Sequence, residues 1–362
     1  MRRLIKKLEE GARIPSAIKI LISLALFMNI SIANAEEKIG LRDNLKHTNI
    51  SSVRKSINKN TVTIVIDASS DTQVHIAKDI VDVIEADNKT GEDQIRILPI
   101  LSKGGAQNAL DIMFLNGVDL GIIQTDILAH LRGQNWSLYN NIFNKIKFIT
   151  KLYHAEWHVL GSKNFKNIRD LKGKVVNISA PNSGTNIMSR NIFELLGVKI
   201  KYTTFNNEVA FEKLKRGEID AMITVGGAPL NKLSGLTKAD GLHFIPATFF
   251  FDSSEKTPLV NVLEHFYFPS YLSHEHYPNL IEKGSKVPTV ANGVMLAVYN
   301  WDQSKSSVRK RKIGKFIDRF FEKFPAFSQI GRHPKWKETS LAAEIPEWQR
   351  LNQVKKLIKN KN

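Results

Sequence analysis

Apolar and polar positions change period repeatedly along the chain. TVTIVI (Thr61 to Ile66) is a short, continuously apolar, β-branched run, the pattern of a strand covered on both faces. Val74, Ala77, Val81 and Ile84 then recur at helical spacing. IRILPI (Ile95 to Ile100) reads as a second strand, Leu110, Met113, Phe114 and Leu115 mark a second helix, and DLGII (Asp119 to Ile123) is a third strand. After Lys147 a similar series follows. KVVNIS (Lys174 to Ser179) is a strand, Asn186 to Leu196 a helix closed by Gly197, KYTTF a strand, Val209 to Arg216 a helix closed by Gly217, and DAMITV (Asp220 to Val225) a strand. PTVANGVMLAVY (Pro288 to Tyr299) adds one more, and the last sixty residues read as helical. Two βαβαβ series in succession predict an α/β protein of two domains, each built on a mostly parallel sheet.

Crossings from one domain to the other near residue 150 and back near residue 255 make a hinge. The expected division is residues 61–150 plus 256–330 for the first lobe, 151–255 for the second, and 331–362 for a basic carboxyl-terminal tail. Residues 36–60 are polar and read as a leader. Ahead of them, Arg2, Arg3, Lys6, Lys7, Arg13 and Lys19 precede an apolar stretch from Ile20 to Ile32 and the A-x-A site Ala33-Asn34-Ala35. That layout is a secretory signal peptide, residues 1–35, cleaved after Ala35, and it predicts a periplasmic protein. The apolar stretch is short of the roughly 20 residues a membrane-spanning helix needs.

The chain has 362 residues and no cysteine, which excludes disulfides, thiolate metal sites and cysteine nucleophiles. A formal charge of +17 raises the question of a polyanionic partner. Its distribution answers it. Residues 1–35 hold six basic and two acidic residues, residues 301–362 sixteen and six, and residues 36–300 thirty and twenty-seven. The body is nearly balanced, so a nucleic-acid partner is not expected. The basic carboxyl-terminal region carries Ile313, Phe316, Ile317, Phe320, Phe321 and Phe324 as one apolar helical stripe. It is expected to pack on the first lobe, with its basic face solvated or in transient contact with a membrane-side partner.

Ligands of open α/β sheets bind beyond the carboxyl ends of strands. Three junctions qualify. Gln124, Thr125 and Asp126 follow DLGII, with Thr125 or Asp126 a candidate helix cap. Asn182, Ser183, Gly184, Thr185 and Asn186 open a helix after KVVNIS, offering hydroxyls and free N–H groups to a carboxylate or small oxyanion. Gly226, Gly227 and Pro229 follow DAMITV, with Pro229 at a first helical position. Micromolar capture requires about −8 kcal/mol. Three or four hydrogen bonds to a charged group, at about 1.5 to 3 kcal/mol each, approach that without a metal or cofactor. His154, Glu156 and His158 alternate on a strand and could in principle hold zinc, although such alternation is more often a polar sheet face. Hydrolase, zincin and dinucleotide motifs are absent, so no enzyme is predicted.

Ser102 to Asp126, Ile146 to Asn186, Phe211 to Pro229 and His333 to Arg350 together resemble the TAXI-type solute receptors of TRAP transporters. The resemblance covers about residues 61 to 350 and rests on D-L-K-G-K, then S-G-T before a helix, then G-x-I-D-A and G-x-P. It implies a two-lobed periplasmic binding-protein fold of the type II kind. It also implies a small acidic organic solute, glutamate-like or a dicarboxylate, and the permease subunits of a TRAP transporter as partners. The chain departs from the family at the first loop. A glycine-rich turn and a tyrosine pair usually stand there; this chain has Ala68 to His75 without glycine or tyrosine. Ser69, Ser70 and Gln73 are the candidate replacements for the lost donors, and Asp71 would oppose an anion if it pointed inward. The alternative reading is a periplasmic ligand sensor or interaction module with altered or lost solute binding.

Overall fold

The computed structural model describes residues 50–86, 94–134, 142–251, 264–301 and 307–361. The signal-peptide segment and most of the polar leader lie outside them. Within the leader, Ile50–Lys59 forms a helix (α1) in which Ile50, Val53 and Ile57 recur at helical spacing. It belongs to a separate unit, Met1–Lys59, apart from the body Asn60–Asn362.

The body is an α/β structure on one mixed sheet, with strand order β2-β1-β3-β10-β4-β7-β5-β6. The first half holds β1 (Thr61–Asp67), β2 (Arg96–Ser102) and β3 (Leu120–Gln124), all parallel. The second holds β5 (Val175–Asn177), β6 (Lys201–Thr203) and β7 (Ala221–Gly226), also parallel. Two long antiparallel strands join them, β4 (Ile146–Ser162) and β10 (Lys286–Tyr299). β10 pairs with β3 through residues 294–298, and β4 pairs with β7 through residues 156–161. Each long strand therefore runs from one half into the other. β8 (Leu242–Phe244) adds to the far end of β4, and β9 (Tyr267–Ser273) to the near end of β10. The expected return near residue 255 falls among residues outside those described.

Helices cover the sheet, as parallel strands require: α2 (Asp71–Glu85), α3 (Gly105–Phe114), α4 (Ile127–Gly133), α5 (Ile142–Lys145), α6 (Gly184–Leu195), α7 (Asn207–Lys215), α8 (Asn231–Ser234), α9 (Ser307–Glu322) and α10 (Asn352–Lys361). Two faces differ from the sequence reading. In α2 the buried face runs through Ile76, Ala77, Ile80, Val83 and Ile84, while Val74 is exposed. In α3, Ala106, Ala109 and Ile112 face the core, and Phe114 and Leu115 stand in solvent. Small side chains let α3 approach the sheet closely, and the bulky ones at its end lie past the last covered turn.

The apolar stripe of α9 is buried as expected, with Ile313, Phe316, Ile317, Phe320 and Phe321 at most 3% exposed. Its basic face is not wholly solvated: Lys312 reaches Asp119 at 2.6 Å. The chain end is corrected on two points. It is not continuously helical, because α9 and α10 are separated by 3-10 turns and irregular backbone. Nor are residues 331–351 a free basic tail. Trp336, Trp348, Lys335 and Arg350 are buried, and bridges pair Phe148 with Arg350 and Lys151 with Ser340. Apolar anchors spaced between the basic residues make this segment a strap along β4.

Candidate functional site

The two sheet halves face each other across a closed seam. On the first side stand the β1–α2 turn and the starts of α2 and α3; on the second stand the starts of α6 and α7 and the β7–α8 turn. Thr72 Oγ1 accepts from the Gly227 N–H at 3.0 Å and donates to its carbonyl at 3.2 Å. The Asn207 amide donates to the Ser69 carbonyl at 3.3 Å, and the Ala106 N–H to the Asn182 carbonyl at 3.2 Å. Lys232 Nζ lies 3.3 Å from Asp71 across the seam and 2.8 Å from Glu208 on its own side.

A cavity of about 320 Å³ opens between these elements. Ser69, Ser70 and Asp71 line it from the first half; Asn207, Glu208, Phe211 and Glu212 of α7, Met222, Thr224 and Val225 of β7, and Leu230, Lys232 and Leu233 line it from the second. The volume suits a small organic molecule. One wall is apolar, through Phe211, Met222, Val225, Leu230 and Leu233. The polar groups carry three carboxylates against one ammonium. Burial pulls the Lys232 ammonium down, but Glu208 and Asp71 together hold its pKa above the ordinary value. The Lys232 hydrogen bond in turn lowers Glu208. At neutral pH the lining groups therefore carry three negative charges and one positive, and Glu212 is also paired at 2.6 Å with Lys215, which lies outside the lining.

The β1–α2 turn is shaped by Asp67. This buried carboxylate accepts both the Ser69 N–H (2.8 Å) and its hydroxyl (2.6 Å), while Gln73 Oε1 accepts the Asp67 N–H at 2.8 Å. Burial raises the Asp67 pKa against the lowering effect of Ser69. Ser70 caps α2, its oxygen accepting from the Gln73 N–H at 3.4 Å. Of the residues singled out in this loop, Ser69 and Ser70 reach the cavity, and Gln73 is spent inside the turn.

The other singled-out residues lie along the seam or beside the long strands β4 and β10 and do not line this cavity. Ser183 caps α6 by accepting from the Asn186 N–H, Asn186 Oδ1 accepts from the Asn182 N–H, and Thr185 Oγ1 accepts from the Val225 N–H at 3.0 Å. Asn182 holds a left-handed backbone, φ 63°. Gly184 and Gly105 permit the close approach: a Cβ on Gly184 would stand 1.7 Å from Gln124 Oε1, and one on Gly105 2.2 Å from the Asn182 carbonyl oxygen. Gln124 Oε1 is buried and has no hydrogen-bond partner among the described residues. The Thr125 N–H donates to the Gly293 carbonyl, and its own carbonyl accepts from the Trp348 indole. Asp126 occupies the cap position of α4 but makes no side-chain cap bond. Its carboxylate accepts instead from Tyr267 and from Asn292, both at 2.9 Å, and burial pushes its pKa up to about 6. Gly226 packs against Leu230, and Pro229 precedes the cap residue Leu230 of the four-residue α8 instead of opening a helix.

His154, Glu156 and His158 do not converge. His154 packs on Phe268, Glu156 pairs with Lys335, and His158 meets the Tyr277 hydroxyl at 2.8 Å. Among the described residues no group of three His, Cys, Asp or Glu side chains is arranged to hold a metal ion.

Sequence reasoning missed most of the second-half wall: Asn207, Glu208, Phe211, Glu212, Met222, Thr224, Lys232 and Leu233. One signal was available, since Glu208 and Glu212 are one helical turn apart and share a face. On a surface helix that pattern reads as a solvated flank.

A protein-family model matches residues 68–344 and is described as the NMT1-like family. The chain belongs to the NMT1-like family. Among solved structures, this NMT1-like protein is similar to the periplasmic aliphatic sulphonate binding protein SsuA of Escherichia coli, at 11% identity and TM-score 0.42, covering 78% of this chain and 85% of that one. It is also similar to an amino acid ABC transporter substrate-binding protein of Streptococcus pneumoniae bound to L-arginine, at 13% identity and TM-score 0.39, covering 78% and 98%. Substrate-binding domain 2 of GlnP from Lactococcus lactis matches at 14% identity and TM-score 0.36, covering 77% and 93%. The ligands in these names belong to those proteins.

Proposed function

We propose that this NMT1-like protein is a periplasmic solute receptor that closes on a small polar solute and presents it to a membrane permease, without chemistry on the solute. The observation that carries the reading is the 320 Å³ cavity, walled by both sheet halves at the place where they close. The long strands β4 and β10 supply a two-strand hinge for that closure. The resemblance to TAXI-type receptors makes a TRAP transporter the proposed partner and a small carboxylate the proposed solute.

The cavity charge sharpens the class. Lys232, Asn207 and Thr224 are the groups available to a carboxylate, whereas Asp71, Glu208 and Glu212 would repel a second one and receive an ammonium. A glutamate-like amino acid also carries a second carboxylate, but its ammonium offsets that repulsion, whereas a plain dicarboxylate has no ammonium to do so. The test is calorimetric titration with L-glutamate and with succinate. Micromolar binding of L-glutamate and weaker binding of succinate are expected. Binding of succinate alone would overturn the assignment of the three cavity carboxylates, and no heat with either would overturn the carboxylate receptor.

A further inference from the structure

Residues 332–339 of the strap touch both sheet halves and the hinge. Toward the first half, Asp79 of α2 accepts the His333 N–H and the Trp336 indole N–H, each at 2.9 Å, and Arg332 lies 2.9 Å from Asp82. Toward the hinge strand, Thr339 Oγ1 donates to the Leu152 carbonyl at 2.6 Å, and Glu338 accepts the His154 N–H at 2.9 Å. Between them sits Lys335, 3% exposed, its Nζ 2.5 Å from Glu156 Oε1 and 2.6 Å from Glu338 Oε1. The second oxygen of Glu156 accepts the Ala228 N–H at 2.7 Å. The adjacent Gly227 is the residue that exchanges two hydrogen bonds with Thr72, and a Cβ on it would fall 2.6 Å from Lys335 Cγ.

A buried ion pair is a poor source of net stability, because desolvating both charges offsets their attraction. What this one does supply is position. Glu156 stands on β4 where the strand leaves β10 for β7, pairing with both Ala291 and Gly226. One side-chain contact thus joins the strap, the hinge strand and the turn that meets the opposite half.

We infer that Lys335 is a positioning residue for cleft closure: through Glu156 it holds the Gly227–Ala228 turn where Thr72 receives it, so that the strap keeps the two sheet halves together. Closure has its purpose in the receptor reading, but the contact can be tested without any solute. The chain has no cysteine, so spin labels at Lys103→Cys and Glu194→Cys, both exposed, report the separation of the halves without competing thiols. In the parent, the separation of the closed structure is expected to dominate. The double variant Glu156→Gln/Lys335→Met replaces the pair by neutral groups of similar size and should fold; it is expected to move the main population to longer separations. Glu338→Gln, at the more exposed end of the cluster, should do so in part. Lys312→Met, which breaks the ion pair to Asp119 away from the seam, should lower thermal stability and leave the separation unchanged. A parent already at long separations, or a double variant that superimposes on it, overturns the inference. No binding of either L-glutamate or succinate, with the separations behaving as expected, would overturn the carboxylate-receptor reading and leave this one standing.

Discussion

The start of α6 and the cavity beside α7 make an instructive pair. Both lie where the sheet halves meet, and both are reached from ends of parallel strands. The α6 start has the glycine, hydroxyls and free N–H groups associated with anion binding, yet these are engaged within the fold: Ser183 caps its own helix, Thr185 holds β7, and Gly184 lies directly against Gln124. The α7 side has ordinary-looking surface residues, and it encloses the space. A motif describes what a backbone can approach. At this seam the opposing backbone is what approaches it.

The most disruptive way to break this comparison is Gly105→Ala. Its Cβ would meet a backbone carbonyl, which cannot swing away, and φ is +49°. Overpacking together with left-handed strain should cost about 3 kcal/mol or more of closed-state stability, read as a lower denaturation midpoint. An unchanged midpoint would show that the two loops are not pressed together.

Asp126 tests whether its junction belongs to the hinge rather than the cleft. Its folded pKa of about 6 lies above the ordinary 3.8, so between those values the folded state binds the extra proton. This group therefore favours the fold at low pH and loses that contribution as pH rises through about 6. The interval corresponds to about 3 kcal/mol at most. Asp126→Asn should remove that downward trend between pH 4 and 6 when its unfolding midpoints are subtracted from the parent's. A difference flat with pH would mean that the carboxyl is not held in this buried network.

Glu208→Gln tests the cavity directly. Losing a charged partner for a solute ammonium, about 1.4 kcal/mol, should weaken L-glutamate about tenfold. The side chain is 66% exposed, so the unfolding midpoint should hardly move. Equal affinity would remove α7 from the site.

The smallest effect is expected from Ser183→Ala. Loss of the α6 cap should cost about 1 kcal/mol of stability, and L-glutamate affinity should stay within twofold. A large loss of affinity would restore the α6 start as the ligand-binding element.

Much of the fold was legible because strand and helix periods are local properties. The β-branched runs at Thr61, Asp119 and Asp220 became central strands, and the phenylalanine stripe of α9 became core. The helical faces were less legible. Val74 and Phe114 are apolar but exposed, because which side of a helix meets the sheet depends on how closely the helix docks. At the site, Ser69 and Ser70 were reached through the unusual loop, whereas Lys232 gave no sign, since an isolated charged residue on a helix looks the same whether it faces water or a cavity, and the Glu208–Glu212 pair reads as a solvated flank.

The sequence by itself determined two successive α/β series, the absence of thiol chemistry and a nearly balanced body between basic ends. Those follow from residue types and their spacing, which act over a few residues. Only the tertiary structure decided that the S-G-T junction is buried in the seam, that the basic chain end is a strap, and that three carboxylates and one lysine share a cavity. The fold brings together groups far apart in the chain, such as Asp71 with Lys232 and Glu156 with Lys335. Their charges interact through a few ångströms of space, and no local pattern records that separation.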